Sequence, residues 1–228
     1  MENLNIPKET AGDKAHSIVK GAIGSIPFIG SIAAETFGLI LAQPITKRRE
    51  RWMLTVVEEL KKLDQLIESF KMENLKDDAE FVTFLIEVTQ IAFKTHQEKK
   101  LEYLRNSIGN FYRIEAEFDK KHSFVRIVDD LTPTHFDIAQ FIAYNENFII
   151  EHVNDFNSLL ELYHEKGSFI DKFYFRKCVR DLENVSLIRI SSDFGDFIGG
   201  GGFATDEGAP SIKLLDFGKE FLDFILEN

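Results

Sequence analysis

The sequence predicts a mainly α protein, a helical bundle followed by a C-terminal winged-helix-like α+β module. Two observations carry this reading. Apolar residues recur at helical spacing through most of the first 130 positions, as at Trp52, Val56, Leu60, Leu63 and Phe70. Beyond Thr132-Pro133 the order changes to helical stripes, two short β-patterned runs around a Gly-rich stretch, and a closing helix, which is the order of a winged helix. The organisation expected is a loose arm over residues 1–14, a bundle with apolar Gly-rich N-terminal helices over 15–130, and the winged-helix-like module over 131–228.

The elements follow in order. A polar start with Pro7 and Gly12 favours no packed structure. From His16 a stripe of Val19, Ile23, Ile26, Ile29, Ala33, Phe37 and Ile40 reads as helix, broken near Pro27 and ended by Pro44 because proline removes a backbone donor. An amphipathic helix is expected from Ile45 to Phe70. Others cover Glu80 to His96, Gln97 to Ile108 with Gly109-Asn110 as its end, and Ile114 to Asp130. Thr132 as cap and Pro133 in the first turn open a helix to Tyr144. Helices over Phe156 to His164 and Asp171 to Glu183 follow. Strands Val185 to Ser191 and Ser211 to Leu215 flank the Gly loop, and Lys219 to Leu226 closes the chain.

Composition narrows the function. The 44% apolar content supports a real core, and 22 Phe against one Trp fall mostly where periodicity points inward. A formal charge of -11 disfavours general nucleic-acid binding, and residues 131–228 hold 17 Asp/Glu against 8 Lys/Arg. The single cysteine, Cys178, excludes an internal disulfide and a CxxC zinc site. The start of the chain lacks a secretory pattern, so a cytoplasmic protein peripheral to the inner membrane is expected.

Two surfaces stand out. Between Lys20 and Lys47 only Glu35 is charged, a length able to cross about 30 Å of hydrocarbon at about 1.5 Å per residue. Pro27 and the central Glu35 argue against a simple span, so an interfacial or releasable segment is the expectation. Its membrane-contact candidates are Ile23, Ile26, Phe28, Ile29 and Phe37, followed by Lys47, Arg48, Arg49, Arg51 and Trp52 at headgroup level. The residues suit at least as well a second reading, in which Gly21, Gly24 and Gly30 let two core helices pack closely while the basic cluster pairs with Glu58 and Glu59. The second surface is a possible recognition helix offering Lys172, Arg176, Lys177 and Arg180, which makes a winged-helix DNA-binding regulator the alternative function. Asp193, Asp196, Asp206 and Glu207 in the wing oppose it, so protein contact or dimerisation is the preferred use of the module.

No catalytic, metal or cofactor pattern is present. His96 with Glu98, His122, His135 with Asp137, His152 with Asp155, and His164 with Glu165 are scattered, without zinc-ligand spacing. Gly199 to Gly202 lacks the Lys-Ser/Thr ending of a phosphate loop. The polar run Lys94 to Lys100 reads as a solvated face, with Arg105 or Asn106 bonding across to Leu131-Thr132-Pro133.

Three segments carry a resemblance: KTHQEKKLEYLRNSIGN at Lys94 to Asn110, DDLTPTHFDIAQFI at Asp129 to Ile142, and DLENVSLI with the late LLDFGKEFL at Leu214 to Leu222. From about Glu80 to Asn228 the chain is similar to the bacterial abortive-infection alpha family, in which a helical region precedes a winged-helix-like end. The resemblance implies a role in phage defence and transfers no active-site residue. The function expected is therefore non-enzymatic defence through a protein partner or homo-oligomer, with membrane engagement by the apolar front.

Overall fold

The computed structural model describes residues 31–67, 70–153, 155–167, 169–191 and 212–227, with the side chains of the first helix from Thr46 onward. Helix α1 spans Ser31–Leu66, a 3-10 turn Met72–Asp77, α2 Ala79–Lys94, α3 Glu98–Asn110 and α4 Phe118–Asp130. Then come α5 Pro133–Tyr144, α6 Glu146–His152, α7 Phe156–Glu165 and α8 Lys172–Asn184. Strands β1 Ile188–Ile190 and β2 Ile212–Leu214 precede α9, Asp216–Ile225. The protein is mainly α with a C-terminal α+β module, as the sequence predicts.

Pro44 does not end a helix; it lies inside α1. Proline removes its own bond to the carbonyl of Ile40 and crowds that carbonyl, but the helix-forming runs on either side, Ala33 to Ala42 and Lys47 to Leu66, carry the helix past it. Pro27 and the stripe from Val19 to Ile29 lie outside the described residues.

The chain forms two compact units, Met1–Glu58 and Glu59–Asn228. Within the second unit, α9 packs on helices from both sides of residue 131. Its Phe221 and Phe224 are fully buried, with Phe224 against Phe84 of α2 and Phe124 of α4, and Phe221 against Phe136 of α5. Phe81 and Phe84 continue the aromatic core to Phe111 and Tyr112 beyond α3. A second cluster joins Phe141 of α5, Tyr163 of α7 and Phe175 of α8. The Phe-rich composition is core, because a ring on each helix can meet rings on two or three others.

The end of α9 is held by α3. Asn110 Nδ2 donates to the carbonyls of Asp223, Phe224 and Leu226 at 3.1, 3.1 and 2.9 Å, and Asn106 Nδ2 donates to that of Ile225 at 3.1 Å. Gly109-Asn110, expected as the end of α3, is its last turn, and Asn106 reaches α9 rather than the 131–133 junction. Lys100 takes the place nearest that junction, its Nζ donating to the Asp129 carbonyl at 2.7 Å. Lys120 of α4 and Glu220 of α9 add an ion pair.

The hairpin is short and antiparallel, pairing Ile188 with Leu214 and Ile190 with Ile212. The strand expected from Val185 begins later because α8 runs to Asn184 and the chain then turns through Ser186 at φ 60°. The Leu187 carbonyl accepts from Leu215 N at 2.9 Å, and Gly218 packs directly beneath it. A Cβ on Gly218 would collide with that oxygen and stand 2.9 Å from the carbonyl carbon. The closing helix, expected from Lys219, starts at Asp216 and includes Gly218.

Replacing Asn110, which is 2% exposed, by Ala removes three bonds to carbonyls at a helix end. A loss of about 2–4 kcal/mol in unfolding free energy is expected by denaturant titration, since a buried acceptor left unmade costs about 1–3 kcal/mol. Gly218→Ala should destabilise comparably, because the obstacle is backbone.

Candidate functional site

The first surface is the middle of α1. Lys47, Arg49 and Arg51 are exposed and Arg48 is half-buried. Trp52, expected at a membrane interface, is only 4% exposed and shares its helix face with the buried Val56, Leu60 and Leu63. The correction follows from periodicity: Trp52 belongs to the core stripe at i, i+4, i+8 and i+11. In its place α1 exposes Met53, Leu54 and Val57, with Leu54 at 66%. The sequence reading missed these three because they fall off the stripe, and their apolar character beside Lys and Arg was the available signal. Of the earlier candidates, Phe37 lies on α1, while Ile23, Ile26, Phe28 and Ile29 lie outside the described residues. Among the described residues no helix is long and apolar enough to cross a membrane.

The second surface is α8. Asp171 caps it, accepting from the N–H groups of Phe173 and Tyr174 at 3.0 Å each. Phe175, Cys178, Val179 and Leu182 form its buried face. The opposite face carries the cations expected to read DNA, but two are engaged within the protein. The Arg176 guanidinium lies 4.6 Å from the centre of the Phe156 ring, and Lys177 Nζ donates to Asp181 Oδ2 at 2.5 Å. Lys172 and Arg180 are exposed.

A polar chain links α8 to the start of α5. His135 is 4% exposed; its Nδ1 accepts from the Thr132 N–H at 3.1 Å and lies 2.8 Å from Thr132 Oγ1. Its Nε2 lies 3.2 Å from Asp181 Oδ2, and Thr132 Oγ1 is 3.3 Å from the Tyr174 hydroxyl. These contacts assign the proton to Nε2, donating to Asp181. The hydroxyl, imidazole and carboxylate stand in the sequence of a hydrolase triad, yet the Nδ1 lone pair already receives a backbone N–H. Such an imidazole is a strut that caps α5 and braces it on α8. Burial pushes the Asp181 carboxyl up, but the hydrogen bonds from Lys177 and His135 outweigh it and hold the carboxyl below its usual range. Burial raises the Cys178 thiol above its ordinary value, although Tyr174 opposes the shift.

The other histidines find partners the sequence did not suggest. His135 pairs with Asp181 while Asp137 takes Lys99 at 2.9 Å, and His164 Nε2 lies 3.1 Å from the Ile170 carbonyl rather than on Glu165. His152 Nδ1 lies 3.1 Å from the Phe148 carbonyl, and Asp155 instead caps α7 by accepting from Ser158 N. His122 Nε2 stands 2.9 Å from Glu87 Oε2, beside a cleft of about 170 Å³ lined by Glu87, Gln90, Lys94, Arg126, Asp129 and Asp130. Burial holds the Glu87 carboxyl above its ordinary value, with His122 and Arg126 opposing. Among the described residues no three His, Cys, Asp or Glu side chains are placed to hold a metal ion.

No family model, curated protein or solved structure matches the chain. The resemblance drawn from Lys94 to Leu222 rests on the quoted segments.

The Asp181 pairing fixes a pH signature. A native carboxyl titrating below its unfolded value, about 3.9, stabilises the fold above that pH and ceases to as pH falls through the native value. In urea titrations the wild-type advantage over Asp181→Asn should be complete at neutral pH and shrink in strong acid.

Proposed function

We propose that this protein is a non-enzymatic bacterial defence protein of the abortive-infection type, acting through protein contacts and engaging the inner membrane from the cytoplasm with its apolar N-terminal segment. One observation carries the membrane part. Because α1 passes unbroken through Pro44, the charge-poor Ser31 to Thr46 run, the Lys47 to Arg51 cluster and the exposed Met53, Leu54 and Val57 belong to one helix. A helix with this succession suits the interface plane, its cations at anionic headgroups and its exposed apolar side chains at the acyl boundary.

Protein contact is the use we assign to the C-terminal module. Its acidity and the engagement of Arg176 and Lys177 weigh against duplex DNA as the partner. The defence role comes from the resemblance alone, and its test is plating efficiency of phage on cells with and without the gene.

The membrane part is tested by co-flotation with phosphatidylglycerol-containing vesicles. Each basic residue near an anionic surface contributes about 1 kcal/mol, so Lys47→Gln, Arg49→Gln and Arg51→Gln together should weaken binding roughly a hundredfold. Added salt should weaken the wild type and bring it toward the variant. Absence of flotation, or equal binding to neutral vesicles, would overturn the membrane part.

A further inference from the structure

The start of α8 presents two phenylalanines to water. Phe169 is 87% exposed and Phe173 is 76% exposed, whereas the phenylalanines of the two aromatic clusters described above are buried. Isolated apolar side chains on a surface are ordinary, but two Phe within five residues, flanked by exposed Lys166 and Lys172, are not a scatter. We infer that Phe169, Phe173, Lys166 and Lys172 form a second membrane-contact site, the rings entering the headgroup region of an anionic bilayer while the lysines meet its phosphates. The inference rests on the membrane reading of α1 for its setting and on separate residues for its content.

The site is held in shape by the protein. The Asp171 cap secures the first turn of α8, so Phe173 projects from a fixed helix end. The His164 ring lies 5.5 Å from that of Phe169, tilted 32°, and supports it from behind. Gly167, at φ 89°, supplies the left-handed turn that brings the chain from α7 toward this position, a conformation that glycine adopts without strain. A backbone already ordered at Phe173 and a ring contact at Phe169 reduce the conformational freedom lost on insertion.

Charge selects the partner. Around the two rings, Lys166 to Phe173 holds two Lys against one Asp, in a chain of net charge -11. That carboxylate, Asp171, is committed to backbone N–H groups. An anionic surface fits the two lysines left beside the rings. A nucleic-acid strand fits less well, because Arg176 lies on Phe156 and Lys177 is paired with Asp181, removing two cations from the face that would track phosphates. A folded protein fits less well again, since two rings and two lysines fall far short of the roughly 800 Å² per partner of a stable interface.

The test uses the full chain, Phe169→Ser/Phe173→Ser in that chain, and vesicles of phosphatidylcholine with or without phosphatidylglycerol. Both positions are exposed, so the thermal transition should be unchanged in the double variant. Its partitioning onto phosphatidylglycerol vesicles should fall about tenfold or more, the scale expected for two partly buried Phe. A Phe173→Trp form should gain a blue-shifted emission quenched by brominated lipid, beyond the signal of Trp52 alone. If the full chain floats and the double variant floats equally well, this inference fails while the α1 reading stands. If the full chain does not float, both fail. If the double variant keeps its vesicle binding but loses binding to a single-stranded oligonucleotide, the site is a stacking platform and the lipid assignment is overturned.

Discussion

A helix that ends inside a protein leaves carbonyl oxygens that must find donors, and α9 ends inside this one. Asn106 and Asn110, one turn apart on α3, supply them. The arrangement sets how far α9 slides along α3, and with it where Phe221 and Phe224 meet rings from α2, α4 and α5. The hairpin inherits the same placement through Leu187, whose carbonyl both receives the amide of Leu215 and rests on Gly218. Two side-chain amides thus link the last helix to the aromatic core and the sheet.

This explains why the C-terminal module is not a detachable head. Winged-helix-like in its order of elements, it contributes its closing helix to the bundle and so shares one unit from Glu59 onward. Its helix α8 is braced on α5 through His135 and Asp181 and rests its Phe175 on Phe156 and Tyr163. A surface built on such a helix is presented rigidly. Ion pairs inside that frame, rather than a partner, absorb part of its positive charge.

Much of the fold was legible because it rests on period and on local chemistry. The stripes of α2 and α8, the Thr132-Pro133 start of α5 and the order of the hairpin could all be read from spacing, whereas α1, expected over Ile45 to Phe70, runs from Ser31 to Leu66. What could not be read depends on distant partners. Pro44 inside a helix is decided by the strength of its flanks, and the pairing of His135 with Asp181, 46 positions away, has no local mark. Gly109-Asn110 read as a helix ending, and Arg105 or Asn106 as a bond toward 131–133; only burial against α9 shows both Asn side chains as donors to its end. For the candidate site, the basic cluster was visible, but Trp52, expected at headgroup level, is buried, and the exposed Met53, Leu54 and Val57 were not singled out. A shift of one residue on a helix is a turn of about 100°, enough to exchange inside for outside.

Cys178 has a practical meaning beyond its packing. Its sulfur is fully buried on the inner face of α8, and burial disfavours the thiolate that reacts with electrophiles and oxidants. While the helix is seated, the chain's one thiol is chemically silent. It becomes reactive only in the fraction of molecules whose α8 has lifted, so the rate at which a thiol reagent consumes it is a clock for the local opening of this part of the protein.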